Sequence, residues 1–207
     1  MVVLDVAKTK KWMEYANEKI QAHKEYLTEL DQAIGDGDHG INMSRGFQEV
    51  MAKIADSDYE HVSDVLKDVS MTLLSKVGGA SGPLYGTAFL RMSTALKGKA
   101  EIDVAAMVSA LEAALEGIKM RGKAEKGDKT LIDVWEPVID YLKTETAIDL
   151  AGLESEAKRA FEATKELKAI KGRAAYLGER SIGHLDPGSA SSYYIFAALS
   201  EVFQERG

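Results

Sequence analysis

Apolar residues recur at three- and four-residue steps along almost the whole chain, and this period is what most constrains its fold. Alternation with a period of two, which is typical of a half-buried strand, is hard to find. Pro137 lies inside one helical segment and should kink or split it, because proline lacks a backbone N–H. The segments that carry the helical period are 5–30, 42–54, 62–77, 83–96, 103–120, 130–142, 153–167, 173–177 and 187–205. The pattern predicts an all-α protein.

The connections between these segments are mostly short, and helices joined by short connections pack as antiparallel neighbours. We therefore predict one up-and-down antiparallel bundle, or barrel, of about eight amphipathic helices. No internal repeat or proline-rich linker divides the chain, so residues 1–207 are expected to form a single domain. Alternate loops of such a bundle lie at the same end, so the glycine-rich stretches 35–41, 78–82, 122–130 and 178–188 are expected to meet at one rim.

Charge and cysteine usage exclude several kinds of protein. A net charge of -7 argues against a nucleic-acid partner, which would need a basic surface, although a nucleotide held through a metal ion stays possible. The chain has no cysteine, which excludes disulfides, thiolate metal sites and cysteine nucleophiles. No apolar run approaches the roughly 18 residues of a membrane span, and no signal-peptide core opens the chain. We expect a cytoplasmic protein without a membrane partner.

Three carboxylates lie close together in the segment 31–42, at Asp31, Asp36 and Asp38, with glycines between them. Such carboxylates repel one another unless a cation neutralises them, and their hard oxygen ligands suit Mg²⁺ or Ca²⁺. A solvated Asp-Gly turn without a ligand is the alternative, but Asp31, one turn earlier, favours a metal. The same glycines match G-x-G-x-x-G, yet that fingerprint requires a preceding strand and a helix precedes it here.

Two helix starts are further candidate sites. The stretch 78–83 leaves backbone N–H groups free at the positive end of a helix dipole, which favours an anion. Asp186 and Pro187 are typical of a helix N-cap and first helical position. Both are also explained as capped turns without a ligand. Arg173 is either a phosphate ligand or an ordinary surface arginine.

Together these segments resemble the L subunit, or L domain, of the dihydroxyacetone kinases. The matching stretches occur in the family's order and are 31–42, 78–86, 122–124, 127–133, 172–174 and 183–188. One mild departure is Leu131, where many relatives carry methionine.

The resemblance implies a barrel-like bundle of eight helices with ADP or ATP at one rim. It implies that Asp31, Asp36 and Asp38 hold two Mg²⁺ ions, which bind the nucleotide phosphates. It also implies a nucleotide pocket made of His39, Gly40, Ile41, Asn42, Gly79, Ala80, Ser81, Gly82, Gly122, Leu131, Arg173, Asp186, Pro187 and Gly188.

The family has two types. In one, the L domain is fused to a K domain and ATP is a substrate. In the other, a free-standing L subunit keeps ADP, which an M subunit of the phosphotransferase system rephosphorylates in place. The length of 207 residues leaves no room for a K domain, so the resemblance implies the second type. The phosphoryl group would pass to dihydroxyacetone on the K subunit, giving dihydroxyacetone phosphate.

The resemblance places no catalytic residue on this chain, since the base for the triose hydroxyl is expected on the partner. Four cations lie in the loop after Met120, namely Arg121, Lys123, Lys126 and Lys129. They either steer an acidic partner and help to hold the complex or are merely the charges of a solvated loop. Two alternatives stay open. One is a non-catalytic metal–nucleotide sensor that controls a partner such as a transcription regulator. The other is the nucleotide domain of an ATP-dependent kinase for another acceptor.

Overall fold

Helices make up nearly all regular structure in residues 2–144 and 152–205, the parts of the chain that the computed structural model describes. The α-helices are α1 Val6–Ala22, α2 Lys24–Ile34, α3 His39–Ile54, α4 Val62–Lys76, α5 Ser81–Ala95, α6 Val104–Gly122, α7 Ile132–Thr144, α8 Gly152–Ala163 and α9 Pro187–Gln204. Short 3₁₀ segments cover Thr164–Glu166 and Arg173–Ser181. Two strands, β1 Val2–Asp5 and β2 Glu101–Asp103, pair antiparallel.

The helices form a closed ring. From α3 to α9 each helix packs on the next, and α9 returns to pack on α1, which also contacts α3. Because α1 and α2 share α3 and α9 as neighbours, they act as one interrupted pass, and the ring has eight passes. The predicted all-α bundle or barrel is confirmed. No helix within the described ranges is long and apolar enough to cross a lipid bilayer.

One apolar core fills the ring and receives side chains from all of its helices. Its largest members are fully buried aromatic side chains, among them Trp12, Phe47, Phe89 and Trp135. Trp12 and Phe89 have ring centroids 5.7 Å apart, and the Trp12 indole N–H donates to the carbonyl of Ile195 at 2.9 Å. Burial stabilises the folded state in proportion to the apolar area removed from water. The packing of the helices therefore depends on many side chains together and not on one contact.

The first predicted helix, 5–30, is wrong as one continuous element. It breaks at His23, whose backbone leaves the helical region at φ -114° and ψ 17°, and α2 then runs on to Ile34. The His23 ring stacks on Tyr194 of α9 with centroids 4.3 Å apart, and its Nδ1 lies 2.8 Å from the carbonyl of Lys19. The break coincides with a tertiary contact, and the hydrophobic period of the local sequence contains no information about such contacts.

Pro137 does not split the sixth predicted helix, because α7 continues through it. Its neighbours Trp135, Val138 and Ile139 are buried in the core. Their burial outweighs the one backbone hydrogen bond that proline removes.

Two other expectations at segment ends are corrected. The predicted helix 153–167 ends as an α-helix at Ala163 and continues as a 3₁₀ turn. The predicted short segment 173–177 is 3₁₀ and runs to Ser181, with a kink at Gly178, where φ is 55°.

The two strands lie at the ends from which α1 and α6 start, and no sequence pattern predicted them. Leu4 pairs with Ile102, and both side chains are buried in the core. Each strand ends in an aspartate that caps the following helix: Asp5 accepts from the N–H of Lys8 at 2.7 Å, and Asp103 from that of Ala106 at 2.8 Å. Strands this short contain too few residues for a period of two to be visible.

Candidate functional site

Loops meet at one end of the bundle around a cavity of about 720 Å³. Its wall is made of the C-terminal ends of α2 and α6, the loop that follows α4, and the N-terminal ends of α3, α5, α7 and α9. Consecutive antiparallel helices end and begin at the same rim, which explains this alternation. The glycine-rich stretches predicted to gather do so, with one correction: residues 171–174 and 186–188 line the cavity, while 178–185 do not.

The three aspartates lie at one edge of this cavity. Ligand oxygens of Asp31, Asp36 and Asp38 all lie within 4.8 Å of one another. Asp31 is buried, and its Oδ2 accepts from the backbone N–H of Asp38 at 2.9 Å and of His39 at 3.1 Å. These two bonds fold the loop back over the end of α2. A Cβ atom at Gly35 would lie 2.0 Å from Oδ1 of Asp31, so this position needs glycine.

The aspartate group fits a hard divalent cation. All its donors are carboxylate oxygens, the ligands that Mg²⁺ and Ca²⁺ prefer. Arg173 reaches the group from the other side of the cavity, with its guanidinium 2.9 Å from Oδ2 of Asp36. The arginine therefore offsets part of the negative charge that a cation would neutralise.

The start of α5 faces the same cavity. Its N-cap residue, Ala80, has no side chain that can accept from the first backbone N–H groups. Gly79 has a φ of 65°, in the left-handed region that favours glycine. Free N–H groups at the positive end of a helix dipole bind anions. The aspartates and this helix start offer one ligand a cation site and an anion site together.

Three of the predicted pocket residues lie outside the wall. A Cβ at Gly40 would lie 2.0 Å from the carbonyl oxygen of Lys24, and one at Gly82 would lie 2.2 Å from that of Val77. Both glycines allow close backbone packing, and Ile41 is 49% exposed. The other predicted residues line the cavity: His39, Asn42, Gly79, Ala80, Ser81, Gly122, Leu131, Arg173, Asp186, Pro187 and Gly188.

The apolar wall was not predicted, and neither was a position in the cavity wall for three cations, two of which were expected in the loop after Met120. The apolar residues are Ile34, Pro83, Leu84, Ile118, Ala124, Ile132 and Ala174, and the cations are Arg121, Lys129 and Lys171. Cavity and core residues at helix ends share one hydrophobic period, so sequence does not distinguish them. Arg121 and Lys171 directly precede Gly122 and Gly172 in the sequence, and this adjacency to predicted rim glycines could have indicated that they line the cavity. A mostly apolar pocket with a few charged groups is typical of a small-molecule site.

Lys129 corrects the expectation of a fully solvated basic loop. Its side chain is 1% exposed, and its Nζ donates to the carbonyls of Leu167 at 2.9 Å and Ser181 at 2.8 Å. Burial lowers its pKa. These bonds hold residues 167–183, which we name the strap, against the loop before α7. The N–H of Ile170 adds a bond to the carbonyl of Asp128 at 3.1 Å.

The strap also rests on the end of α2. Ile34 forms a small apolar cluster with Ala169, Ala174 and Leu177, separate from the main core. Because Arg173 belongs to the strap, Lys129 and this cluster together fix the guanidinium beside Asp36.

The predicted helix start at Asp186 is confirmed. Its Oδ2 accepts from the N–H of Ser189 at 2.7 Å, and Pro187 occupies the first turn of α9. Asp186 is buried, and this burial raises its pKa to about 7.

His39 lies in the cavity floor and is buried. Burial lowers its pKa to about 4, so the ring is neutral near pH 7. Its Nδ1 lies 3.1 Å from Oγ of Ser81 and its Nε2 lies 2.9 Å from Oγ of Ser191.

Comparisons with known proteins agree on one family. The DAK2 domain family matches residues 33–201. The chain is 51% identical to the PEP-dependent dihydroxyacetone kinase 1, ADP-binding subunit DhaL, of Listeria innocua, over 91% of this chain and 92% of that protein. It is 42% identical to the corresponding PEP-dependent subunit of Escherichia coli, over 94% of this chain and 95% of that protein.

Larger relatives match over only part of their length. The triokinase/FMN cyclase of Mus musculus is 34% identical over 89% of this chain but 33% of that protein. The crystal structure of the dihydroxyacetone kinase of C. freundii in complex with AMP-PNP and Mg²⁺ superposes with a TM-score of 0.75 at 24% identity. This chain spans 34% of that structure, and the likeness shows that the two share the helical fold.

Proposed function

The chain belongs to the DAK2 domain family of kinase subunits, and we propose that it is the ADP-binding subunit of a phosphotransferase-dependent dihydroxyacetone kinase. In this proposal an M subunit of the phosphotransferase system phosphorylates bound ADP in place. The chain then passes the phosphoryl group to a hydroxyl of dihydroxyacetone on the K subunit. The products are dihydroxyacetone phosphate and ADP, which stays bound for the next cycle.

One observation carries the proposal: the aspartate group and the uncapped start of α5 face a single cavity that also has an apolar wall. A nucleoside diphosphate matches these three features, because it has phosphates that bind a metal ion, a free terminal anion and a flat apolar base. The cavity of about 720 Å³ lies in the size range of small-molecule sites.

The residues of the cavity then have distinct roles. Asp31, Asp36 and Asp38 would hold Mg²⁺, two ions by family resemblance, which when bound neutralises charge on the phosphates. Ser81 and the first N–H groups of α5 bind a phosphate, and Arg173 adds positive charge. Phosphoryl transfer depends mainly on such positioning and charge neutralisation. The base for the triose hydroxyl belongs to the partner.

The other wall residues receive supporting roles. Leu131 and the apolar side chains around it contact the base, while Gly122 and Gly188 let backbone approach the ligand. Gly40, Ile41 and Gly82 act through packing of the helix ends. His39 and Asn42 lie beside the phosphate-binding start of α5.

The comparisons favour the phosphotransferase as donor. Two relatives that are named PEP-dependent are 51% and 42% identical to this chain, whereas the mouse triokinase/FMN cyclase is 34% identical. We therefore propose K and M subunits as the partners.

Nucleotide retention provides the first test. Native mass spectrometry of the purified protein should show bound ADP, and Asp36→Ala or Asp38→Ala should lose it while circular dichroism stays helical. Asp56→Ala is a matched control, since Asp56 is exposed and lies outside the cavity. Unchanged ADP binding in both cavity variants would refute the metal assignment.

Turnover provides the second test. With K subunit, M subunit and phosphoenolpyruvate with its phosphotransferase enzymes, dihydroxyacetone phosphate should accumulate over many cycles. With K subunit and ATP alone, production should stop after about one equivalent, because trapped ADP is not recharged. Sustained turnover on ATP alone would assign the chain to the ATP-dependent type.

A further inference from the structure

The strap bridges the rim of the cavity. Its residues 171–174 belong to the cavity wall. At one side the strap rests on the loop before α7, where Lys129 donates to two of its carbonyl groups, and at the other side it contacts Ile34 at the end of α2. Arg173 extends this bridge to Asp36, with 2.9 Å between the guanidinium and Oδ2. The strap therefore connects the start of α7 with the aspartate group.

A nucleotide bound as proposed would extend between the same two points. Its phosphates would lie at the aspartate group beside Arg173, and its base would contact Leu131, which directly precedes α7. The strap would then follow the ligand from its phosphates to its base. This position suits the strap to control the entry and the exit of the ligand.

The strap is held less firmly than most of the wall. Helix ends make up most of the wall, and the helices are anchored in the main apolar core. The strap residues Ala169 and Ala174 instead form a small cluster with Ile34 and Leu177, separate from that core. Segments with few buried apolar contacts open locally at a lower free energy than the core. When the cavity wall opens, the strap is therefore the part expected to move.

Two glycines give the strap hinge positions. Gly172 and Gly183 flank residues 173–182 and have φ of 66° and 89°, in the left-handed region that favours glycine. A Cβ added at either position would meet no atom within 4 Å, so both lie in open space. Hinges are typically a few loop residues that absorb a change of φ and ψ. The segment between these glycines can therefore turn outward without a clash at its hinges.

The loop that carries Lys129 is, in contrast, held in place by its own bonds. The Asp133 carboxylate accepts from the N–H of Gly127 at 2.6 Å and from that of Thr130 at 2.7 Å. Lys129 has a φ of 62°, which is uncommon for a residue other than glycine, and its side chain is 1% exposed. A fixed loop thus presents the Lys129 ammonium to the strap, and the two carbonyl bonds act as a latch.

We propose that the strap is a gate for the nucleotide, which swings away from the loop before α7 and from α2 to admit or release Mg²⁺–ADP. Lys129 and Leu177 are the latch residues that keep it closed. The inference rests on the proposed function for the identity of the ligand. Because entry and exit both pass through the open form, the gate sets how fast the ligand exchanges and not how tightly the closed protein holds it. A closed gate retains ADP between phosphorylation cycles.

Leu177→Ala is the first test, since Leu177 packs in the small cluster and is not one of the residues that line the cavity. The substitution destabilises the closed strap equally with and without ligand. The association and dissociation rate constants of Mg²⁺–ADP should therefore both rise by about tenfold, while the Kd stays within about twofold. Rapid mixing with radiolabelled ADP gives the first rate constant, and a chase with unlabelled ADP gives the second.

Lys129→Met tests the latch from the other side and should also raise both rate constants, by about tenfold or more. A common rise in either variant supports the gate, so the test survives if one of them does not fold. In the opposite outcome, neither variant shows a common rise. A faster dissociation with a matching loss of affinity would mean that the strap only contributes contacts to the bound nucleotide. That result, or unchanged rate constants, would overturn the inference.

Lys126→Met and Leu90→Ala are the matched controls. Both side chains are exposed and lie outside the strap and the cavity wall, so both rate constants should keep their wild-type values. If the controls changed the rate constants as much as the latch variants, the effect would not be specific to the strap and the inference would fail. Wild-type protein that did not bind Mg²⁺–ADP would defeat the proposed function together with the gate. Normal binding without faster exchange in the latch variants would defeat the gate alone.

Discussion

The apolar interior of the bundle and the strap beside the cavity differ in what holds them in place. The interior is a single cluster of buried side chains, in which Trp12, Phe47 and Trp135 have no exposed surface. The strap is held by a few directional bonds from Lys129 and Ile170 and by a small apolar cluster on α2. Stability is thus spread over many residues in the ring of helices and concentrated in few at the rim. Regions of the second kind open locally without unfolding the protein.

A core truncation should have the largest effect and should be global. Phe47→Ala removes a fully buried ring and should lower the free energy of unfolding by about 3–5 kcal/mol. Tyr176→Ala, in the strap, removes a ring that is 90% exposed and should change it by less than about 0.5 kcal/mol. Urea unfolding of both variants is the measurement. Equal losses would show that the two regions are not held differently.

Asp186 belongs to the rim but is buried like a core residue, so its contribution to the free energy of unfolding should depend on pH. Burial raises its pKa from 3.8 to about 7, and the folded state therefore favours the protonated acid. Its contribution to stability is fully present below about pH 4 and is lost as the pH rises toward 7. Over that window the loss should amount to a few kcal/mol, about 4 at most.

Asp186→Asn keeps an N-cap side chain and removes the titration. The wild-type unfolding free energy minus that of the variant should fall from pH 4 to pH 7, as measured by urea unfolding at each pH. Burial also raises the pKa of Asp133, whose charge helps to raise the pKa of Asp186, so only the part of its titration that is independent of Asp186 cancels in the difference. A flat difference would mean that Asp186 titrates outside this window.

Loss of the Lys129 ammonium should loosen the strap and leave the bundle intact. Lys129→Met leaves the carbonyls of Leu167 and Ser181 without their donor, at a cost of about 2 kcal/mol. Amide hydrogen exchange in residues 167–183 should accelerate by roughly tenfold or more, with unchanged exchange in α1 and α9. Lys126→Met is the control, because Lys126 is exposed. An unchanged strap in Lys129→Met would assign its position to the apolar cluster alone.

The exposed ion pair at the rim should contribute least to stability. Arg173 and Asp36 have 69% and 36% of their side chains exposed, and water screens such pairs. Arg173→Ala should lower the free energy of unfolding by less than about 1 kcal/mol without nucleotide. Arg159→Ala, which breaks the exposed pair with Glu156, is the control. A much larger loss for Arg173→Ala in thermal unfolding would show that the strap depends on this contact.

The sequence predicted the ring of helices because its apolar period records which face of each helix is buried. It predicted the aspartate group and the start of α5 because their residues are close neighbours in the chain. It did not predict the break at His23, which accompanies a stack on Tyr194, or the burial of Lys129, which looks like a loop cation.

The contacts that cross the fold were equally invisible in the sequence. His39 and Ser191 are 152 residues apart, and neither position alone indicates a shared hydrogen bond. The apolar wall of the cavity was hidden because Ile118 and Ile132 carry the same period as true core residues. Residues that act together through tertiary proximity therefore required the structure.

The strand pair lies at the end of the bundle opposite the cavity, and this end is therefore suited to attaching the molecule to a surface. β1 pairs with β2 just before α6 begins, and α6 first lines the cavity at Ile118, roughly 21 Å further along the helix. The last turn of α9 lies at that same far end, where Glu205 pairs with Lys11 of α1. A tether at Val2 or Glu205 on a biosensor chip would thus leave the cavity facing solution, open to both a phosphoryl donor and an acceptor subunit.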